Sequence, residues 1–327
     1  MKKKKLANLI YLLFASLMVL ANVILIFGFQ MSDSQGFSWF SQEQESESQE
    51  LENVFSEETE SELVSEEETE MSTEVVIDTA EEYLNQWALE YVPPPVKRTR
   101  EEAIEKIKEL TAEYPLLQTV YENADAYYVE HLYSAANNPE MAEYLCGILE
   151  SDGSVNVELF PDETPENYPL FLQWDPRWGY MQYGSQGVIG SSGCGPTCLS
   201  MAVYYLTGNE ECMPDAVAKY SLENRYYREG VGTEWALLDK YPLQFGLKVV
   251  HPSLSESNLK SYLDKGNVLI CSVRQGNFTA EGHFIVIYGY DENGFKINDP
   301  KCIYRSRLSW TYEQIKDDIK RTWAIGK

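Results

Sequence analysis

The stretch Ser191-Ser-Gly-Cys-Gly-Pro-Thr-Cys-Leu-Ser200 runs into Met201-Ala-Val-Tyr-Tyr-Leu206 and changes character halfway. Its first half is small and flexible, so the backbone can turn sharply around Cys194 and leave the thiol uncovered. Its second half repeats Leu199, Ala202, Val203 and Leu206 on one helical face, which predicts a buried helix starting beside the thiol, with Pro196 at its first position. The positive end of that helix favours the thiolate, the nucleophilic form of cysteine. A cysteine that only packs is the commoner case, but such a residue has no need of Gly193 and Gly195. Cys198, one turn on, reads as a buried thiol.

Outward from this helix, short helical patterns recur around Asp215 to Tyr220 and Thr233 to Lys240. Strand patterns follow at Leu247 to Val250, Val268 to Val273, His283 to Tyr290 and Phe295 to Asn298. A helix ahead of an antiparallel sheet is an α+β architecture. His283 opens the apolar strand Phe284-Ile-Val-Ile-Tyr-Gly-Tyr290, and a turn at Asp291-Glu-Asn-Gly294 returns the chain to Asp299-Pro300. The residue facing Asp299 falls between Ile285 and Tyr288, depending on loop length. If it is Ile285 or Ile287, Asp299 shares a face with His283; with Ile285 the two are diagonal neighbours roughly 7 Å apart at Cβ. Cys194, His283 and Asp299 then have the chemical types of a nucleophile, a base and an orienting carboxylate. His251, ahead of Pro252 in a loop, lacks such a setting.

The net charge of −26 excludes a general nucleic-acid binder, and no phosphate loop or zinc-finger spacing occurs. From Met31 to Thr73 there are fourteen acidic residues and no basic one, so about half of the excess belongs to one segment. The six cysteines, one of them needed free, leave no complete disulfide framework, though there is room for one bridge, for instance between Cys271 and Cys302. With one Cys-x3-Cys pair and three histidines, no metal site or cofactor is expected.

Lys2 to Lys5 precede an uncharged run from Leu6 to Phe29, long enough to span a bilayer as a helix. The lysines hold that end in the cytoplasm, and no small-x-small site marks cleavage near Phe29. Residues 1–29 are therefore read as an uncleaved single-pass anchor in the cell membrane, with the remainder extracytoplasmic. Residues 30–78, rich in Glu, Ser and Gln, read as a disordered acidic linker. Residues 79–165 form a helical region: Ala80, Tyr83, Leu84 and Trp87 share a face, Thr99 and Glu102 make a capping box, a third helix is expected between Leu117 and Ala136, and a fourth starts at Asn138-Pro139. His131 within it reads as an ordinary half-buried histidine. A polar loop around Ser151 to Tyr168 marks the boundary, and residues 166–327 form the second domain.

The Gly-Cys-Gly-Pro-Thr turn, the upstream Leu-Gln-Trp-Asp-Pro-Arg-Trp178, the Gly-His-Phe-Ile-Val-Ile-Tyr-Gly-Tyr290 strand and the closing Asn-Asp-Pro300 together resemble the family-39-like cysteine peptidases. These are papain-fold relatives of the bacteriocin-processing enzymes. The resemblance covers about Tyr168 to Lys327, and Asn138-Pro139-Glu140 is similar to a region found ahead of such domains. It implies a papain-like fold, with Cys194 as nucleophile, His283 as base and Asp299 as third member. One departure concerns the oxyanion-hole glutamine that the bacteriocin-processing members carry shortly before the cysteine, because here that window reads Val188-Ile-Gly-Ser-Ser192. Gln173 and Gln186 are the candidates, Gln173 the preferred one, with the backbone amide of Cys194 as the alternative donor. The expected activity is hydrolysis of a peptide bond in a peptide, protein or cell-wall peptide. A cell-wall amidase or acyl transferase with the same thiol, and an inactive binding module on this scaffold, stand beside it.

Overall fold

The computed structural model describes residues 77–327. The expected membrane-crossing helix and nearly all of the acidic linker lie outside them. Among the described residues no helix is long and apolar enough to cross a membrane.

Five short helices come first: α1 Ala80–Asn85, α2 Arg100–Leu110, α3 Leu117–Glu122, α4 Val129–Asn137 and α5 Ala142–Gly147. Thr99 and Glu102 close the capping box on α2 from both sides. The single helix expected between Leu117 and Ala136 is broken in two. Asn123 turns its side-chain amide back onto the Thr119 carbonyl, a 3₁₀ turn follows at Ala124–Ala126, and the chain straightens at Tyr127. Asn138 caps the next turn with its side-chain oxygen on the Glu140 N–H, and Pro139 takes the first position.

Ile189–Ser192 is a one-turn helix, α6, and Cys194–Thr207 is the long helix α7, buried from Gly195 to Tyr205. Cys194 is thus the first residue of α7, two residues ahead of Pro196. The next helices are α8 Pro214–Glu223, α9 Trp235–Lys240, α10 Glu256–Leu263 and α11 Ile303–Ser306. A two-stranded ribbon, β1 Tyr227–Arg228 with β2 Gly232–Thr233, stands apart from the main sheet. That sheet has six antiparallel strands, β3 Lys248–Val250, β4 Val268–Arg274, β5 Gly282–Asp291, β6 Gly294–Asn298, β7 Ser309–Trp310 and β8 Ile319–Gly326, in the order β3-β8-β4-β5-β6-β7. Alternate residues serve its two faces. Val268, Ile270, Phe284, Val286, Trp323 and Ile325 pack with α7, whereas Leu269, Cys271, Ile285, Ile287 and Ala324 pack with Leu259 of α10 and Phe278. Burial on both faces is why β4 and β5 read as continuous apolar runs.

Several elements lie outside the expected set, β8 and α10 among them. β8 begins Ile-Lys-Arg-Thr, and those charges hide the strand pattern of Trp323-Ala-Ile325 behind them. The short helix α10 is set by its Ser255 cap, which accepts from the Asn258 N–H.

Residues 77–327 make one compact unit. The helical region has no separate core: Trp87, Ile107, Leu117, Leu132 and Leu145 cluster with Leu172, Trp174 and Ile303 of the following domain. The polar part of the Leu-Gln-Trp-Asp-Pro-Arg-Trp178 motif fixes the intervening loop. Arg177, held by Asp175 at 2.8 Å and Glu163 at 2.7 Å, also donates to the Glu158 carbonyl. All six cysteines are free thiols, so Cys271 and Cys302 are not bridged.

Candidate active site

Two glycines let the backbone around Cys194 close up. A Cβ on Gly193 would lie 2.6 Å from the Ile189 carbonyl oxygen, and one on Gly195 would lie 2.7 to 2.8 Å from three atoms of the Thr233 side chain. Thr233 is itself held by the Tyr183 hydroxyl at 3.0 Å, which also meets Ser221 at 2.8 Å. α7 is therefore clamped at its first turn, with the partly exposed thiol at the helix start. The N–H groups of Cys194 and Gly195 are among the donors that a helix start leaves without an intrahelical acceptor.

Cys194 and His283 both line a cleft of about 600 Å³ that reaches from Gln186 to the β1-β2 ribbon and Trp235. His283 Nε2 meets Asp299 Oδ1 at 2.7 Å in a buried pair. The register explains the pairing. Val286 faces Asn298, so the next residue, Asp299, comes opposite Ile285, the diagonal setting relative to His283. Asn298 points elsewhere, donating its amide to the Tyr205 hydroxyl at 2.8 Å and the Tyr168 carbonyl at 3.1 Å.

Burial pushes the Cys194 thiol up, but hydrogen bonding and charge from His283, with the Phe284 backbone, reverse the sign and leave its pKa lowered. The other five thiols are all pushed up, chiefly by burial. Burial opposes charging of His283, yet the Asp299 carboxylate and the thiol raise it to about 9. Asp299, despite complete burial, is lowered to about 2 by Arg305 and His283. These directions describe a thiolate facing an imidazolium, a coupled pair whose protonations move together.

Sequence reasoning missed the groups behind Asp299. Arg305 Nε donates to Asp299 Oδ2 at 2.7 Å, the Lys301 N–H donates to Oδ1 at 2.9 Å, and the Asp299 N–H donates to Ser306 Oγ at 2.8 Å. The loop carrying them is gripped from the helical region. Buried Glu140 accepts the N–H groups of Ile303 and Tyr304 at 2.8 and 2.9 Å, capping α11, while Asn138 and Trp174 both donate to the Lys301 carbonyl. The Asn138-Pro139-Glu140 triplet was the signal available, and an arginine six residues after an aspartate carries none.

Gln173 is not brought to the cleft. Its side-chain nitrogen donates to the Gly190 carbonyl at 2.7 Å and its N–H to the Pro300 carbonyl, so it braces the turn before Cys194 against the Asp299 loop. Gln186 does line the cleft. His251 pairs with Asp239 at 3.1 Å, and His131 is buried and held neutral, its pKa lowered to about 4 by burial. Among the described residues no group of three or more His, Cys, Asp or Glu side chains could hold a metal ion.

A partly exposed thiol at a helix start, facing a buried imidazole and carboxylate, is the chemistry of a cysteine hydrolase. Residues 165–326 match the family model described as the Peptidase_C39 like family, so this part of the chain is similar to the C39-like cysteine peptidases. Among solved structures it is similar, at 18% identity and a TM-score of 0.29, to one described as a candidate C39-like peptidase from Bacillus anthracis, over 42% of this chain and 89% of that one. The comparison with curated proteins found no match.

Proposed function

We propose that this chain is a membrane-tethered, extracytoplasmic cysteine peptidase of papain-like fold that hydrolyses a peptide bond with Cys194, His283 and Asp299. The observation that carries the reading is the buried 2.7 Å His283–Asp299 bond beside a helix-start thiol whose pKa alone among the six is lowered. The thiolate attacks the carbonyl carbon, forming a C–S bond while the carbonyl electron pair moves onto oxygen. The oxyanion accepts a hydrogen bond from the Cys194 N–H, with the Gln186 amide as the second donor available in the cleft. As the tetrahedral adduct collapses, the C–N bond breaks and the imidazolium gives its proton to the leaving amine. Neutral His283 then takes a proton from water, whose oxygen attacks the thioester, and the C–S bond breaks to return the thiolate and a carboxylic acid. Asp299 stays ionised throughout and stabilises the imidazolium.

The lysines and the apolar run before Gln30 support the anchor. Cys194→Ala should abolish hydrolysis across a panel of secreted peptides and peptidoglycan fragments while shifting the melting temperature by no more than about 2 °C, since a partly exposed thiol contributes little to packing. Turnover that persists in Cys194→Ala would remove the nucleophile assignment.

A further inference from the structure

Beside the cleft, and sharing Glu130, Ser191, Glu281 and Gly282 of its lining, lies a smaller pocket of about 190 Å³. One wall is the helical region, including Arg98, Ser134 and Asn138; the opposite wall contributes Lys301 and Arg305 from the segment after Asp299. The charged groups on its lining are unequally matched. Lys97 and Glu281 pair at 2.8 Å, and Arg98 is engaged by the Val96 carbonyl and the Asn137 side chain. Arg305 spends Nε on Asp299, but its Nη1, in a side chain 2% exposed, has no partner. Lys301 is desolvated, which pushes its pKa down, against the raising effect of the charges of Cys194 and Asp299. Among the described residues its ammonium makes no ion pair, and Glu130, the remaining acid on the lining, stands exposed at the rim.

Arg305 is paired through Nε but leaves a buried N–H-bearing nitrogen unanswered, and half-buried Lys301, close enough to Cys194 for their charges to interact, makes no ion pair; both are costly unless something supplies negative charge. A bound carboxylate would meet both donors and favour the charged form of Lys301. A carboxamide of the same shape would leave the charge unanswered. We propose that this pocket binds a carboxylate of the substrate through Lys301 and Arg305 Nη1, so that the enzyme selects peptides carrying negative charge near the scissile bond. The inference rests on the peptidase reading for its substrate, but binding itself needs no chemistry. The carboxylate is either an acidic side chain or a peptide C-terminus, and the pocket lies on the side of the cleft that the helical region completes.

The test is equilibrium binding to the full chain carrying Cys194→Ala, followed by fluorescence anisotropy. Three dansylated peptides are compared: Ala-Ala-Glu amide, Ala-Ala-Gln with a free C-terminus, and Ala-Ala-Gln amide. At least one carboxylate peptide should bind about tenfold more tightly than the neutral one, and which one does so identifies the source. Adding Lys301→Met should bring that advantage to within about twofold. Equal affinities, no binding by any peptide, or an advantage that survives Lys301→Met each overturn the proposal. The comparison of the three peptides on the Cys194→Ala chain decides even if Lys301→Met fails to fold. A carboxylate preference in a chain whose Cys194 form cleaves nothing would sink the peptidase reading alone, and cleavage without preference would sink the pocket alone.

Discussion

Asp299 answers two cations at once, with Oδ1 on His283 and Oδ2 on Arg305 at the same 2.7 Å. It therefore stays ionised at about 2, and the charge it keeps is what holds the imidazolium to about 9. The sign follows for activity. A base with a raised pKa keeps its proton below that value and loses it as pH rises through it, while the lowered thiol is already ionised below its ordinary range. The kcat/KM profile should accordingly be broad, with its alkaline limb near 9 and its acid limb below the usual thiol value. Asp299→Ala should narrow it from both sides and lower kcat by about 10²-fold, whereas Asn298→Ala, whose side chain is spent on Tyr205 and Tyr168, should keep the limbs in place. Profiles of both variants on one cleaved peptide check this, and a crippled Asn298→Ala beside a near-normal Asp299→Ala would remove Asp299 from the set. At this scale Cys194 and His283 were legible because each sits at the edge of a strongly patterned element. Which of Asn298 and Asp299 faces His283 needed the register, and that depends on the irregularity between Ile287 and Gly289, which one sequence does not reveal.

Elements carry the next level of control, since the loop bearing Asp299 is anchored by α11 and α11 is capped by a residue from another part of the chain. Glu140 satisfies two orphan N–H groups that would otherwise be buried without acceptors. Glu140→Ala should cost about 2 to 4 kcal/mol of stability and, by loosening the loop, lower kcat more than it raises KM. Glu140→Gln, which keeps one acceptor, should recover part of both. Denaturant titration and steady-state kinetics on the two variants read this, and a Glu140→Ala protein with wild-type kcat would show that the cap does not position Asp299. Helix caps such as Thr99 with Glu102 were readable because their partners are three residues apart. The Glu140 cap was not, because its partners lie more than 160 residues away.

For the whole molecule, residues 79–165 share a core with Leu172, Trp174 and Ile303, grip the Asp299 loop, and wall the pocket beside the cleft. The sequence places a boundary between Ser151 and Tyr168 from composition alone. Composition registers the polar loop, but not the buried Arg177, Asp175 and Glu163 cluster that pins it. Under the tethered reading, protease added to intact cells should release a soluble fragment that begins within residues 30–78 and runs through Lys327 with activity retained, because the helices cannot be shed without exposing that common core. N-terminal sequencing and activity of the released material check it. Complete protection, or an active fragment beginning after residue 165, would contradict it.

The order of the sheet has a consequence for how such a chain comes to life. β4, β5 and β6 are consecutive in sequence and can pair as they emerge, but among the described residues β3 has only β8 as its neighbour, and β8 follows all of them in sequence. Cys194, His283 and Asp299 have all been synthesised before the strand that joins β3 to β4 exists. The face on which α7 rests lacks Trp323 and Ile325 until then. Closure of the sheet depends on pairing residues 74 to 78 positions apart in sequence, a slow, non-local step. Cys194 therefore sits on a helix whose supporting sheet face is incomplete until Gly326 has been made.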